Sequence, residues 1–158
     1  MKYVAFIDTL GFKHKLQGQS HAGAKNVIQE FNRAIYDLWE ELGYENDLKI
    51  QGKTFSDSLV VFTQDTNITQ LKKLLRFLVK LYRTSIVTCD LPLRGGIAAG
   101  EFDDIRATEF GNLQKGMVVG QAFIDAYALE SSNGIKGSKL LFKQEIKLQI
   151  QKHIKDYV

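Results

Sequence analysis

Two aspartates stand where an apolar segment of the chain gives way to a turn. Asp8 follows the apolar run 3–7 and precedes a Leu-Gly-Phe turn, and Asp57 lies in the dipeptide between the segments 47–55 and 58–62. A strand that ends in this way can place carboxylate oxygens and free backbone N–H groups around one small volume. That combination suits a metal-bound phosphate, because hard cations prefer carboxylate oxygens and phosphate oxygens need donors.

Asp8 and Asp57 indicate a metal site only if they lie close together as a pair. Two carboxylates a few ångströms apart repel each other unless a cation neutralises them or one of them has a strongly raised pKa. Bound Mg²⁺ or Mn²⁺ is the simpler of these arrangements, and two-metal sites serve phosphoryl chemistry. Taken singly, Asp8 is explained as a turn-capping carboxylate and Asp57 as a hairpin-tip residue.

The elements that must position the two aspartates follow the order strand, helix, strand, strand, helix, strand. They are assigned from helical or alternating apolar spacing and from turn residues between them. This order predicts the α+β class, with a ferredoxin-like βαββαβ core: an antiparallel sheet with helices on one face. In that plan the first strand lies beside the hairpin, so Asp8 and Asp57 face each other. The six segments are 3–7, 24–42, 47–55, 58–62, 66–82 and 93–101.

The remaining segments extend this core within one predicted domain, 1–158. Residues 13–23 predict a polar connection and residues 102–116 a loop rich in Asp, Glu and Gly. A C-terminal extension follows as strand, helix, strand and helix. Its segments are 117–120, 121–132, 139–142 and 144–155.

Composition argues against several classes of function. The net charge is +3, and the basic residues are spread along the helices, so no nucleic-acid partner is expected and the basic face of the 66–82 helix is interpreted as solvated. The single cysteine, Cys89, excludes an internal disulfide framework. No apolar run reaches membrane-spanning length and the start lacks a secretory signal, which predicts a cytoplasmic protein without a membrane partner.

Four segments, in this order, resemble the motifs of class III nucleotide cyclases. The segment FIDTLGF at 6–12 is similar to their first-strand motif, and KTFSD at 53–57 to their second metal motif, with Ser56 replacing the usual glycine. The segment RGGIAAG at 94–100 resembles their glycine-containing fourth strand, and 119–130 resembles the strand-to-helix segment that follows. The combination of FIDTLGF, SDS, RGGIA and GQAF is most similar to the small pyrimidine cyclases of bacterial Pycsar antiphage systems.

The resemblance implies conversion of UTP or CTP to the 3′,5′-cyclic monophosphate and pyrophosphate. It implies a head-to-tail homodimer with active sites made between the two subunits. Asp8 and Asp57 would hold two Mg²⁺ or Mn²⁺ ions, helped by the carbonyl of Thr9. The β- and γ-phosphates would be received by backbone N–H groups, those of Leu10, Gly11 and Phe12.

The chain departs from the family across the pocket. Purine cyclases carry an Asn and, four residues later, an Arg on the helix after Gly120, where this chain has Ile124 and Ala128. Another cation must then balance the charge of the transition state. An ordinary surface or interface salt bridge explains Arg94 equally well. The candidates, in falling order, are Arg94, Lys115 and Arg106.

The base-reading positions also depart from the purine pattern. Lys53 stands where adenylate cyclases place an adenine-reading lysine, whereas Met117 occupies the place of its partner aspartate. An incomplete base-reading pair favours a pocket for a base smaller than a purine. The alternative is that Lys53 is an exposed lysine of the hairpin and contacts no base. Two further hypotheses remain: a purine cyclase with an unusual pocket, and a catalytically silent domain that binds nucleotide or mediates dimerisation.

Overall fold

The computed structural model describes residues 1–106, 116–132, 134 and 136–153. Within this part the chain forms a five-stranded sheet, a separate two-stranded sheet and five helices. In chain order the elements are β1 (Lys2–Thr9), α1 (Phe12–Leu16), α2 (His21–Glu41), β2 (Ile50–Phe55), β3 (Ser58–Thr63), α3 (Ile68–Cys89), β4 (Leu93–Gly100), β5 (Asp103–Arg106), β6 (Gly116–Val119), α4 (Gln121–Ser131), β7 (Lys139–Phe142) and α5 (Gln144–His153).

The large sheet has the strand order β2-β3-β1-β4-β7. Its first four strands pair antiparallel, as the ferredoxin-like prediction required, and β7 joins the edge of β4 in parallel. The α+β prediction is therefore confirmed. Strand β1 lies between β3 and β4, which places Asp8 opposite Ser58 on one side and opposite Arg94 on the other.

The two helices of the predicted core, α2 and α3, cover one face of this sheet, as expected, and α4 of the C-terminal extension covers the other face. Side chains of β1 point alternately to the two faces, and those at 3–7 are all buried because each face has its own cover. Tyr3, Ala5 and Ile7 belong to the core that includes residues of α2 and α3. Val4 and Phe6 belong to a second core with buried alanines of α4.

Two segments predicted as connections contain regular structure. The segment 13–23 includes most of α1 and the start of α2, because the Ser20 hydroxyl accepts from the Gly23 N–H at 3.1 Å and caps α2 earlier than the apolar spacing indicated. The predicted loop 102–116 begins with β5, which pairs antiparallel with β6, and its residues 107–115 lie outside the described part.

The C-terminal extension follows the predicted order of strand, helix, strand and helix. The predicted last helix, 144–155, is described as α5 up to His153. No helix in the described part of the chain combines the length and the hydropathy that a membrane crossing requires.

Candidate functional site

The end of β1 and the tip of the β2-β3 hairpin lie side by side. The Thr9 N–H donates to the Asp57 carbonyl at 3.2 Å, and Asp8 is the register partner of Ser58. Ser56 at the hairpin tip has a φ of 54°, in the left-handed region that favours glycine. That backbone requirement explains why a glycine suits this position of the motif. The structure thus brings Asp8 and Asp57 together, as the strand order predicted.

The Asp8 carboxylate sits in a half-buried position between donors. The Ser58 hydroxyl donates to Oδ1 at 3.0 Å, and Nη2 of Arg94 lies 3.6 Å from Oδ2. Burial, above all, raises the pKa of Asp8 above its ordinary value, and the charges of Asp57 and Glu130 raise it further. The Ser58 hydrogen bond and, more weakly, Arg94 act in the opposite direction.

Arg94 forms an ion pair with a carboxylate that the sequence reasoning missed. Its Nε contacts Oε1 of Glu130, whose side chain is 3% exposed. A signal for Glu130 was present in the sequence, since Ala122, Ala126 and Glu130 recur every four residues and share the buried face of α4. The hypothesis that Arg94 makes an ordinary surface ion pair is therefore too simple, because its partner is buried beside Asp8.

The atoms available as metal ligands at this point suit a hard divalent cation, because they are all oxygens. The negative charges of Asp57 and Glu130 act on the half-buried Asp8. Among the described residues, Arg94 provides the single positively charged contact with Asp8. No group of three or more His, Cys, Asp or Glu side chains in the described part has a metal-holding arrangement. Any ion must therefore take ligands from the two aspartates, backbone oxygens such as the Thr9 carbonyl, water and a bound phosphate.

The predicted phosphate cradle is partly engaged within the chain. The Leu10 N–H donates to the Pro92 carbonyl at 2.8 Å, so it is not free for a phosphate in this structure, contrary to the prediction. Gly11 adopts a φ of 71° and precedes the five-residue helix α1. Within the described residues, the N–H groups of Gly11 and Phe12 have no acceptor. The cradle is thereby reduced to these two donors.

Lys53 has a carboxylate partner from an unexpected strand. Its ammonium pairs with Asp104 of β5, whose side chain is 10% exposed. Met117 of β6 pairs with Ile105, the residue next to Asp104, and is exposed. Asp104 was missed because its segment was predicted as a loop. The inference from an incomplete base-reading pair is consequently weakened, since Lys53 does have an acidic neighbour.

The positions that purine cyclases fill with Asn and Arg are exposed on α4 as Ile124 and Ala128. Neither side chain offers a charge or a hydrogen bond. Lys115 and the Arg106 side chain, the other two cations considered, lie outside the described residues. Arg94 is thus the one candidate cation of the three whose side chain the structure places, and it lies beside Asp8.

Comparison with solved structures identifies the fold. A guanylate cyclase domain from Catenaria anguillulae in complex with GTP matches with a TM-score of 0.71 at 12% identity, over 95% of this chain and 81% of that one. The adenylyl cyclase CyaB from P. aeruginosa matches with a TM-score of 0.60 at 16% identity, over 96% and 81%. A non-canonical dimeric guanylyl cyclase domain from Blastocladiella emersonii matches with a TM-score of 0.64 at 15% identity, over 96% and 83%.

These matches establish that the chain has the fold of class III nucleotide cyclase domains. No protein-family model matches the sequence. No curated protein matches it either. At identities this low the likeness concerns the fold, and activity has to be argued from the site.

Proposed function

We propose that this chain is a nucleotide cyclase that converts UTP or CTP to the 3′,5′-cyclic monophosphate and pyrophosphate. The observation that carries the proposal is the meeting of Asp8 and Asp57 at a strand end and a hairpin tip, through the Thr9 N–H and the Asp57 carbonyl. The cyclase fold around this pair supports it. A role as a second-messenger synthase in antiphage defence rests on the motif resemblance to pyrimidine cyclases.

In the proposed reaction the ribose 3′-oxygen attacks the α-phosphorus of the same nucleotide. The new bond forms as the bond from the α-phosphorus to the bridging oxygen breaks, so pyrophosphate leaves and the hydroxyl proton passes to solvent. Two Mg²⁺ or Mn²⁺ ions held by Asp8, Asp57 and the Thr9 carbonyl would supply the charge that acidifies the hydroxyl and neutralises the leaving group. Positioning of the hydroxyl in line accounts for much of the remaining rate enhancement.

The residues of the chain itself have complementary roles in this proposal. The N–H groups of Gly11 and Phe12, which have no acceptor among the residues that the structure describes, bind oxygens of the β- and γ-phosphates. Arg94, 3.6 Å from Asp8, supplies the positive charge that Ile124 and Ala128 cannot. To do so, Arg94 has to give up part of its contact with Asp8 and bind the phosphate oxygens instead. The paired N–H donors of a guanidinium suit phosphate oxygens.

The test is direct incubation of the purified protein with each of the four nucleoside triphosphates. Each reaction is run with Mn²⁺ and with Mg²⁺, and cyclic nucleotide and pyrophosphate are quantified by chromatography and mass spectrometry. Asp57→Asn removes one proposed metal ligand, and Asp37→Asn is the matched control because Asp37 is exposed on α2. We expect one cyclic product per pyrophosphate from UTP or CTP, at least about 1000-fold less with Asp57→Asn, and no change with Asp37→Asn.

Other outcomes select between the remaining hypotheses. Product chiefly from ATP or GTP would replace the pyrimidine proposal by a purine cyclase. Nucleotide binding without product under both metals would leave a silent cyclase-like domain. Equal activity of the Asp57→Asn protein would reject the proposed metal site.

The Lys53–Asp104 pair keeps the purine cyclase as the second candidate. A lysine donor beside a carboxylate acceptor matches the edge of a base that offers one acceptor and one donor. Adenine offers this combination, and so do cytosine and uracil. The pair therefore keeps ATP as a candidate and does not by itself choose between CTP and UTP.

A base-reading role for this pair makes a specific prediction. Lys53→Met and Asp104→Asn should change the ratio of kcat/KM between nucleotides by about tenfold or more, because the donor and the acceptor lie at different places on the edges of different bases. If the ion pair only fastens β5 to β2, both variants will lower kcat/KM for all four nucleotides by the same factor. Steady-state rates with each nucleotide distinguish the two results.

Exposed apolar side chains support the proposed homodimer. The elements β5, β6 and α4, which follow one another in the chain, carry five large apolar side chains that are each at least 43% exposed, and exposed apolar groups of this kind mark interaction sites. We place the second subunit against this region, so that each site takes residues from both subunits. The five side chains are those of Ile105, Met117, Val119, Ile124 and Tyr127.

A further inference from the structure

The buried carboxylate of Glu130 sits beside the proposed metal site without being one of its ligands. Close packing of α4 on β4 puts it there, since a Cβ added at Gly96 would lie 2.2 Å from the Ala126 carbonyl oxygen. The Ser131 hydroxyl donates to Oε2 of Glu130 at 2.8 Å, and Arg94 contacts Oε1. A buried carboxylate is costly without a cation, so Glu130 requires Arg94.

Arg94 is shared between two carboxylates. Its Nε contacts Glu130, and its terminal Nη2 lies 3.6 Å from Oδ2 of Asp8. The guanidinium is a rigid planar fork, so the contact of Nε with Glu130 limits how closely Nη2 approaches Asp8. With Ser58 donating to Oδ1, both oxygens of Asp8 face donors from within the chain.

The contact of Arg94 with Oδ2 opposes the binding of a divalent cation at Asp8. A cation needs lone pairs of the carboxylate, and the guanidinium lies beside one of its oxygens and repels a second positive charge. Glu130 limits this effect because it draws part of the guanidinium away from Asp8. Removing Arg94 and removing Glu130 should therefore change the metal affinity in opposite directions.

We propose that Arg94 is an internal competitor of divalent cations for Asp8, and that Glu130 is the positioning residue that sets the strength of this competition. The inference rests on the metal site of the proposed function. It goes beyond that function because it concerns the protein without nucleotide.

The test measures Mn²⁺ binding to the nucleotide-free protein by the electron paramagnetic resonance signal of free Mn²⁺ and by calorimetry. We expect Arg94→Gln to tighten Mn²⁺ binding about tenfold and Glu130→Gln to weaken it about tenfold. In the Arg94→Gln background, Glu130→Gln should weaken binding much less, since Glu130 acts through Arg94. Lys80→Gln, which removes a lysine paired with Glu41 on the helices α2 and α3, should change nothing.

A merely structural role for the pair predicts a different pattern. Both single variants would then weaken binding, or their effects would add in the double variant, and either result would overturn the proposal. So would the absence of measurable Mn²⁺ binding by the wild-type protein. Arg94→Gln alone leaves the buried Glu130 carboxylate without its cation and could fail to fold. The double variant Arg94→Gln/Glu130→Gln removes both charges of the pair, so its Mn²⁺ affinity can then be compared with that of Glu130→Gln.

This experiment separates the inference from the cyclase proposal. If no nucleotide is cyclised but the Mn²⁺ affinities shift as expected, the competition stands and the activity is rejected. If cyclic product forms but Arg94→Gln leaves Mn²⁺ affinity unchanged, the cyclase proposal stands and the competition is rejected.

Discussion

At the scale of single residues, the proposed site depends on how neighbours hold one carboxylate. Asp8 is half-buried, and its two oxygens face the Ser58 hydroxyl and the Arg94 guanidinium. Neighbours that orient a metal-binding carboxylate contribute strongly to metal affinity. Ser58 is the simplest of these neighbours to change because its hydroxyl is small and neutral.

Ser58→Ala should weaken Mn²⁺ binding about tenfold, because Oδ1 of Asp8 loses the donor that orients it. Titration of the nucleotide-free protein with Mn²⁺ measures the change. Ser20→Ala is the control, since it also removes a hydroxyl hydrogen bond, at the N-terminus of α2. It should cost about 1 kcal/mol of stability and leave Mn²⁺ affinity unchanged. Unchanged affinity in Ser58→Ala would show that this hydrogen bond does not orient Asp8 for metal.

At the scale of elements, hydrogen bonds from α3 hold the edge of the sheet beside Arg94. The Tyr82 hydroxyl donates to the Lys139 carbonyl at 2.8 Å, and Lys139 is the register partner of Arg94. Burial and, after it, the charge of Glu130 raise the pKa of Tyr82 far above its ordinary value of 10.0. This bond ties the parallel edge strand β7 to the helix beneath it.

Tyr82→Phe should lower the free energy of unfolding at pH 7 by about 1 kcal/mol, because the hydrogen bond to Lys139 is lost. The raised pKa of Tyr82 contributes stability that is fully present below pH 10.0 and is lost as the pH rises above it, since only the unfolded chain then ionises this group. The advantage of the wild type should therefore shrink by about 1.4 kcal/mol per pH unit above that value.

Urea unfolding at several pH values between 7 and 11 measures this difference. Tyr36→Phe makes the same chemical change on an exposed side chain of α2 and should stay within about 0.5 kcal/mol of the wild type. A wild-type advantage that is constant with pH would contradict the assigned role of Tyr82.

At the scale of the whole molecule, the exposed apolar side chains on β5, β6 and α4 are a feature that the single chain leaves unexplained. The chain also lacks, at Ile124 and Ala128, the polar side chains that purine cyclases use. The resemblance implies sites that combine the metal-binding aspartates of one subunit with base-reading residues of the other. A two-fold dimer would then contain two such sites.

Mixing two variants that each have an impaired site tests whether sites are shared between subunits. Asp57→Asn removes a proposed metal ligand and Lys53→Met a proposed base contact, so a mixed dimer retains one intact site if they come from different subunits. Random exchange should restore about a quarter of wild-type activity. Activity measured against mixing ratio gives the result, and no recovery after confirmed subunit exchange would place both residues in one subunit's site.

Dimerisation itself is testable on the same region. Tyr127→Glu should convert a dimer to a monomer in sedimentation experiments, because a charge would be buried at the interface. Val87→Glu changes an exposed apolar side chain on α3 and should leave the dimer intact. Equal sedimentation of the Tyr127→Glu and wild-type proteins would remove this region from the interface.

The sequence by itself determined the strand and helix order and the meeting of Asp8 with Asp57. Apolar spacing and turn residues are local signals, and the ferredoxin-like plan leaves few ways to arrange six such elements. The motif order also pointed to the cyclase fold, which the comparisons with solved structures confirm. The start of β5 and the early start of α2 escaped prediction because short, polar segments carry weak periodicity.

Only the tertiary structure decided what surrounds the two aspartates. Glu130 reaches Arg94 because α4 packs on the face opposite α2 and α3, and Asp104 reaches Lys53 because β5 belongs to a second sheet. The Leu10 N–H proved to be engaged by the Pro92 carbonyl. Each of these contacts joins residues far apart in the chain, so no local pattern encodes them and only packing brings them together.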